Sequence, residues 1–507
     1  MDQTPPETSP LDATKAGRPV KLARAALAQL PAEILRPNYA RDDLRQGIVH
    51  IGLGNFHRAH QAWYLHRLMM DHKARDWGII GAGVRPYDAA MRDKLLAQDC
   101  LTTLVQLEPT STSVEVIGPM IDYLPIEKDN ARLIEAMADP AIRIVSLTVT
   151  EGGYFIDPAT GEFDATHEDI VHDAAHPATP RTAFGALIAA LAKRRTAGEG
   201  PFTIQSCDNL LGNGDVVRQT VVSLARMNDP ELAAWIEAKV AFPNSMVDCI
   251  VPATGPEAIE NLRALGVDDA APVTHENFRQ WVIEDNFCNG RPPWESVGAT
   301  ITNDVHAYED MKIRVLNAGH QMLVNAGEIL SVETIAACMV DADISGLLEK
   351  VQSDEVLPFV NTVPNCTPQE YLALIITRFA NPAVHDTTRR VAFDGSSRHA
   401  GFILPTVREA LDAGAPVVGL ALIEALWARM CTGVREDESV IAPNDPFWDD
   451  LQAIAVAAKD DPTKWLAQEQ IYGSLADAPA FADAFCDWLT RLHRDGCRAV
   501  LRAYLAS

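Results

Sequence analysis

Through the first half of the chain, short apolar runs that end in glycine alternate with stretches of helical spacing. Residues 47–54 (Gly-Ile-Val-His-Ile-Gly-Leu-Gly) form one such run, residues 59–71 carry a helical pattern, and 77–84 form a second run. Strand, helix, strand in that order opens a parallel, doubly wound sheet. Further strands are expected at 101–106, 113–118, 142–149 and 202–207, and the 242–252 run reads as another. Residues 150–182, rich in Gly, Pro, Asp and His, read as a loop leading to a helix over 183–195. From about residue 294 helical periodicity takes over, with helices expected at 305–328, 330–340, 343–352, 367–380, 403–413, 416–431, 447–459 and 479–505. The expected fold class is α/β, in three parts. Residues 1–40 are a tail and lead-in, 41–294 a dinucleotide-binding α/β domain, and 295–507 a mainly α-helical domain carrying substrate and catalytic groups.

Composition narrows the partners. A chain of 507 residues is too long for one ordinary core, and 47% hydrophobic residues make it globular. The charge, 43 − 69 = −26, argues against a nucleic-acid backbone or an anionic membrane as partner. No apolar run approaches the roughly 20 residues that a spanning helix needs. The first 19 residues are rich in Pro, Thr and Ala, contain Asp2, Glu7 and Asp12, and lack an apolar signal core. They read as a loose tail on a cytoplasmic protein. The nine cysteines are scattered with no C-x-x-C pair, so neither a disulfide framework nor a zinc-ligand set is expected.

The first chemical signal is Gly52-Leu-Gly54 between a strand and a helix. Glycines there let the backbone and a helix N-terminus approach a pyrophosphate. Asn55 and Phe56, which follow directly, are taken with Gly52 and Gly54 as cofactor contacts. The third glycine of the usual fingerprint is missing; His57 stands there. The first acid beyond the second strand is Asp88, later than the usual spacing. A carboxylate there repels a 2′-phosphate and favours NAD over NADP, whereas Arg85 pulls the other way.

The second signal is residues 312–320, Lys-Ile-Arg-Val-Leu-Asn-Ala-Gly-His. At about 100° per helical residue, Asn317 lies about 140°, His320 about 80° and Glu309 about 60° from Lys312. Apolar residues 311, 313, 315, 316 and 322–324 point all around the axis, which suits a buried helix. Burial lowers a lysine pKa toward that of a general base. The chemistry suggested is proton transfer to and from an alcohol, with Asn and His holding its oxygen. A solvated Glu309–Lys312 pair is the bland alternative. Tyr308-x-x-x-Lys312 also has the spacing of short-chain dehydrogenases, in which tyrosine is the acid/base. That pair comes 308 − 52 = 256 residues after Gly52, too far for so small a domain, and the glycine turn is of another type.

Six ordered segments resemble the polyol-specific long-chain dehydrogenases, the mannitol 2-dehydrogenase and fructuronate reductase family. They are GIVHIGLGNFHRAH (47–60), TVTEGGY (148–154), SCDNL (206–210), MVD (246–248), KIRVLNAGH (312–320) and RRVAFDGSSR (389–398). The resemblance implies a Rossmann-type N-terminal domain, an all-helical C-terminal domain with the active site between them, and a monomer. It implies metal-independent hydride transfer with NAD(H) between a hexitol and its 2-ketose, D-mannitol and D-fructose first. Fructuronate reduction and D-arabinitol or sorbitol oxidation are the alternatives within the family; a non-catalytic nucleotide sensor is the alternative outside it. By position, Lys312 resembles the general acid/base, and Asn209 and Asn317 the amide pair on the developing alkoxide. His320 resembles a substrate-orienting donor, and Glu309 and Glu151 the carboxylates of the proton route and channel. Asp248, Arg390 and Arg398 match substrate-hydroxyl contacts, and Asp88 the acid that reads the ribose. Two departures stand out: Cys249 follows Met-Val-Asp where the family commonly has Arg, and Gly319 stands where Ser is frequent.

Overall fold

The computed structural model describes residues 18–109, 111–157 and 161–507. The tail expected at the N-terminus lies, up to residue 17, outside the described residues, as does the side chain of Glu151. The chain divides into two compact units, one ending at His306 and the other spanning Ala307–Ser507.

The first unit is built on five parallel strands, Gln46–Ile51 (β1), Gly78–Ala82 (β2), Met120–Tyr123 (β3), Ile144–Leu147 (β4) and Thr203–Ser206 (β5), in the spatial order β3-β2-β1-β4-β5. Apart from half-buried Gln46, every residue of β1 is buried, as a strand covered on both faces requires. One layer of the core includes Leu133, Met137, Phe184, Leu187, Leu191 and Val221 from helices Ala131–Ala138, Ala183–Ala197 and Asn213–Asn228. The other includes Leu65, Leu68 and Met69 from Gln61–Met70, with Trp281 and Trp294. Strand order reverses between β1 and β4, the switch point where open α/β sheets bind ligands beyond the strand ends.

Three small sheets complete this unit, the smallest pairing Val20–Lys21 in parallel with Val267–Asp268. Ser245–Asp248 (β6) runs antiparallel to Gln280–Glu284 (β7), which pairs in parallel with Thr300–Thr302 (β8). Residues 295–306, which the periodicity assigns to the helical half, therefore fall in the first unit. Thr102–Leu107 pairs with Thr112–Ile117 and with Val273–Glu276. The stretch read as a loop over 150–182 holds a helix at Glu168–Ala175, capped by the His167 ring, which accepts from Asp169 N.

The second unit is helical. Ala318–Ile329 is buried at every position except half-buried His320. It packs against Ala342–Val351, Thr388–Val391 and Val418–Met430. The helix expected over 305–328 is not one continuous α-helix: Lys312–Asn317 winds as a π-helix. The helix expected over 479–505 is split into Pro479–Asp495 and Cys497–Leu505 by Gly496, at φ +86°. Among the described residues, no helix is long and apolar enough to cross a membrane.

Candidate active site

In the first unit the site begins at the carboxyl end of β1. Gly52 has φ +93°, and a Cβ on it would lie 2.0 Å from Thr148 O, so only glycine fits. Its N–H donates to Ala82 O at 3.0 Å, joining the ends of β1 and β2. Thr148 Oγ1 donates to Gly52 O at 2.5 Å and is hydrogen-bonded to His50 Nε2 at 2.9 Å. His57, standing in place of a third glycine, stacks on His50 at 3.4 Å between ring centroids. Burial pushes the His50 pKa down to about 3 and the His57 pKa well below the usual histidine value, so both rings are neutral.

Gly54 precedes the helix Asn55–Ala59, and a Cβ there would meet nothing closer than Gly52 O at 4.0 Å. The Asn55 amide donates to Thr254 Oγ1 at 3.2 Å and its Oδ1 accepts from Arg58 at 2.7 Å, while Phe56 stacks on His60. Asp88 lies at the end of β2 despite its late position: a Cβ on Gly83 would sit 2.4 Å from Asp88 Oδ2. That oxygen accepts from Arg85 N at 3.0 Å, a tight turn that brings the acid back to the strand end. A strained glycine at the switch point, open space over Gly54 and a carboxylate at the end of β2 fit a dinucleotide.

Asn209 follows β5 and is exposed, whereas its neighbour Asp208 is buried. Asp208 accepts from Val149 N at 2.9 Å, Thr150 N at 3.1 Å and the Tyr154 hydroxyl at 2.5 Å. Thr150, held by that carboxylate, has φ +66°, a costly conformation for a β-branched residue. Glu151 opens the 3-10 turn Glu151–Tyr154 that follows. Burial and the adjacent Asp208 carboxylate push the Tyr154 pKa well above the usual phenol value. The sequence reading missed Asp208 and Tyr154, although both lie inside motifs it quoted. Asp248 ends β6, buried, in register with Gln280. Cys249 is buried too, and Arg279, whose guanidinium lies 4.1 Å over Trp63, interacts with it electrostatically.

In the second unit, Glu309 and Lys312 are both buried, at 4% and 7% exposure, so they are not a solvated surface pair. Buried lysines are rare unless paired or used. Ala318 N donates to Ile313 O, five residues back. This wider ring returns the fifth residue toward the same side, so Lys312 and Asn317 come closer around the axis than α-helical spacing allows. Isolated π turns are frequent at functional sites. Tyr308 is buried, with its hydroxyl 3.5 Å from Pro364 O.

His320 stacks on Phe379 at 4.2 Å, and burial pushes its pKa down to about 3. Its Nε2 is buried without a hydrogen-bond partner among the described residues. Arg390 is held by Asp386 through two 2.6 Å bonds, a bidentate pair. Arg398 Nη1 donates to Val391 O at 2.8 Å. Among the described residues no group of three His, Cys, Asp or Glu side chains is placed to hold a metal ion.

A parallel sheet ordered β3-β2-β1-β4-β5, with a glycine turn at its switch point and an acid at the end of β2, defines a dinucleotide-binding protein of Rossmann type. The chain belongs to the mannitol dehydrogenase family: residues 46–296 match the mannitol dehydrogenase Rossmann domain and residues 304–493 the mannitol dehydrogenase C-terminal domain. It is 53% identical over 474 residues to a mannitol 2-dehydrogenase of Cereibacter sphaeroides, covering 94% of this chain and 99% of that one. The ternary complex of Pseudomonas fluorescens mannitol 2-dehydrogenase with NAD and D-mannitol superposes with a TM-score of 0.86 at 41% identity, covering 96% of this chain and all of that one. A substrate-free D-sorbitol dehydrogenase gives a TM-score of 0.88 at 35% identity, covering 95% of this chain and all of that one.

Proposed function

We propose that this chain is a metal-independent oxidoreductase that interconverts a polyol and its 2-ketose with NAD(H), with D-mannitol and D-fructose as the pair. The observation that carries the reading is the buried Lys312 with Asn317 on the same π turn, in a chain 53% identical to a mannitol 2-dehydrogenase. Gly52, Gly54, Asn55, Phe56 and Asp88 hold the nucleotide, which when bound takes up a hydride from the alcohol carbon or returns it. Lys312, neutral, accepts the hydroxyl proton at Nζ during oxidation; as an ammonium it gives the proton back during reduction. The side-chain amides of Asn209 and Asn317 donate to the oxygen as negative charge builds on it. Neutral His320 orients the same oxygen, Glu309 and Glu151 serve the proton route, and Asp248, Arg390 and Arg398 meet the remaining hydroxyls. The unit that ends at His306 carries the nucleotide role and Ala307–Ser507 the acid/base role, in a cytoplasmic monomer.

The neutral polyol is favoured over a uronate by one observation. A carboxylate substrate needs a cation at the far end of the pocket, from Arg390 or Arg398; the Arg390 guanidinium is already matched by Asp386, and Arg398 Nη1 donates to Val391 O. The test is a panel of D-fructose, D-fructuronate, D-arabinitol and sorbitol, run with both nicotinamide cofactors. Fructose reduction with NADH is expected to give the highest kcat/KM. No turnover of any member between pH 5 and 10 contradicts the reading, and faster turnover of fructuronate moves it to the uronate reductase.

A further inference from the structure

We propose that Gln352 is a positioning residue for Lys312: its side-chain amide holds the 312–317 segment in its π winding. This rests on the acid/base reading of Lys312. The Gln352 side chain is fully buried at the start of the π turn Gln352–Val356, in the element that continues Ala342–Val351. Its Nε2 donates to Arg314 O at 3.0 Å and to Val315 O at 3.2 Å, with Met322 Sδ a weaker third acceptor at 3.5 Å. In an α-helix these two carbonyls accept from Ala318 and Gly319, four residues on. Ala318 N donates instead to Ile313 O, five residues back, and to Val315 O, three back, leaving the α-type bond to Arg314 O unmade. The Gln352 amide therefore takes the Arg314 carbonyl that α winding needs and shares the Val315 carbonyl with Ala318, a case of a side chain inserted into the helical ladder.

One further observation favours a purpose beyond filling space. Gln352 Oε1 is buried without a hydrogen-bond partner among the described residues. Burying an amide oxygen unpaired is costly, and the bonds its nitrogen donates offset that cost. Without the amide, the segment is free to rewind by one residue, which swings Asn317 to about 140° from Lys312 around the axis. Proton acceptor and alkoxide donor then no longer face one oxygen.

The experiment compares Gln352→Met, which keeps length without a donor, with Gln352→Glu, which donates only while protonated. Both are assayed for fructose reduction with NADH across pH, beside Lys312→Ala, with NADH binding and hydrogen exchange at Ala318 and Gly319. For Gln352→Met we expect kcat to fall tenfold or more, NADH affinity to hold within twofold, and exchange at the two amides to change. A buried glutamate titrates late, so Gln352→Glu is expected to regain activity toward acidic pH where Gln352→Met does not. A Gln352→Met kcat within twofold of wild type, unchanged exchange, or matching pH profiles for the two variants overturns the proposal. If Lys312→Ala keeps its rate, the acid/base reading fails instead. If Gln352→Met does not fold, the acid recovery of Gln352→Glu decides.

Discussion

The Tyr154 hydroxyl donates a 2.5 Å hydrogen bond to the Asp208 carboxylate, 54 residues away in sequence. With the bonds from Val149 N and Thr150 N, it ties the loop after β4 to the end of β5, beside Asn209. Two segments proposed to meet substrate are thus fixed by one buried acid.

Removing the hydroxyl with Tyr154→Phe leaves two backbone donors on Asp208 and loses one charge-assisted bond, together with the 2.7 Å bond to Ser206 Oγ. The expected cost is about 1.5–3 kcal/mol of stability, measured by denaturant unfolding. The KM for the sugar is expected to rise through the loosened 148–154 loop. Unchanged stability and unchanged KM together contradict the tie.

Gly52 and Gly54 are expected to separate folding from nucleotide binding. Gly52→Ala places a methyl 2.0 Å from Thr148 O at φ +93°, so its Tm falls and expression drops. Gly54→Ala meets no protein atom closer than 4.0 Å and should fold like wild type. Its KM for NADH should nevertheless rise tenfold or more, because the methyl enters the space reserved for the pyrophosphate. A Gly54→Ala enzyme with wild-type NADH binding contradicts the placement of the nucleotide.

Acid sensitivity follows from buried His50 and half-buried His320. Burial lowers the folded-state pKa of His50 and His320 to about 3, against an ordinary value of 6.5. The unfolded chain therefore takes up these protons first. Their contribution is fully present above pH 6.5 and is lost as pH falls toward 3. The Tm is expected to fall steadily from pH 6.5 to 4, with a smaller fall in His320→Asn. Because His320 is neutral across the working range, that variant should lower kcat without moving the limbs of the pH–rate profile. A limb that disappears with His320 contradicts its neutral role.

Much of this architecture follows from pattern alone. The runs at 47–54, 77–84, 142–149 and 202–207 became β1, β2, β4 and β5 because strands buried on both faces are continuously apolar. What escaped has physical causes. β3 is four residues long with an exposed Asp122, too short to show a period. The helices Asn213–Asn228 and Pro230–Lys239 abut at Asp229, which caps the second through Glu231 N and Leu232 N, and neither was anticipated. A π turn inserts one residue into a pattern that still looks helical, so spacing alone places Lys312 and Asn317 too far apart around the axis. Asp208 was hidden because its function is a contact with a distant loop. Asp88 looked too late in sequence because the turn at Arg85 folds it back onto the strand end.

The most direct measurement is the rate of NADH-dependent fructose reduction by Lys312→Ala, taken with its equilibrium affinity for NADH. Loss of a general acid costs about 10²–10⁴ in rate, so the account predicts a fall of that size with NADH bound as tightly as by wild type. A variant that reduces fructose at the wild-type rate contradicts it.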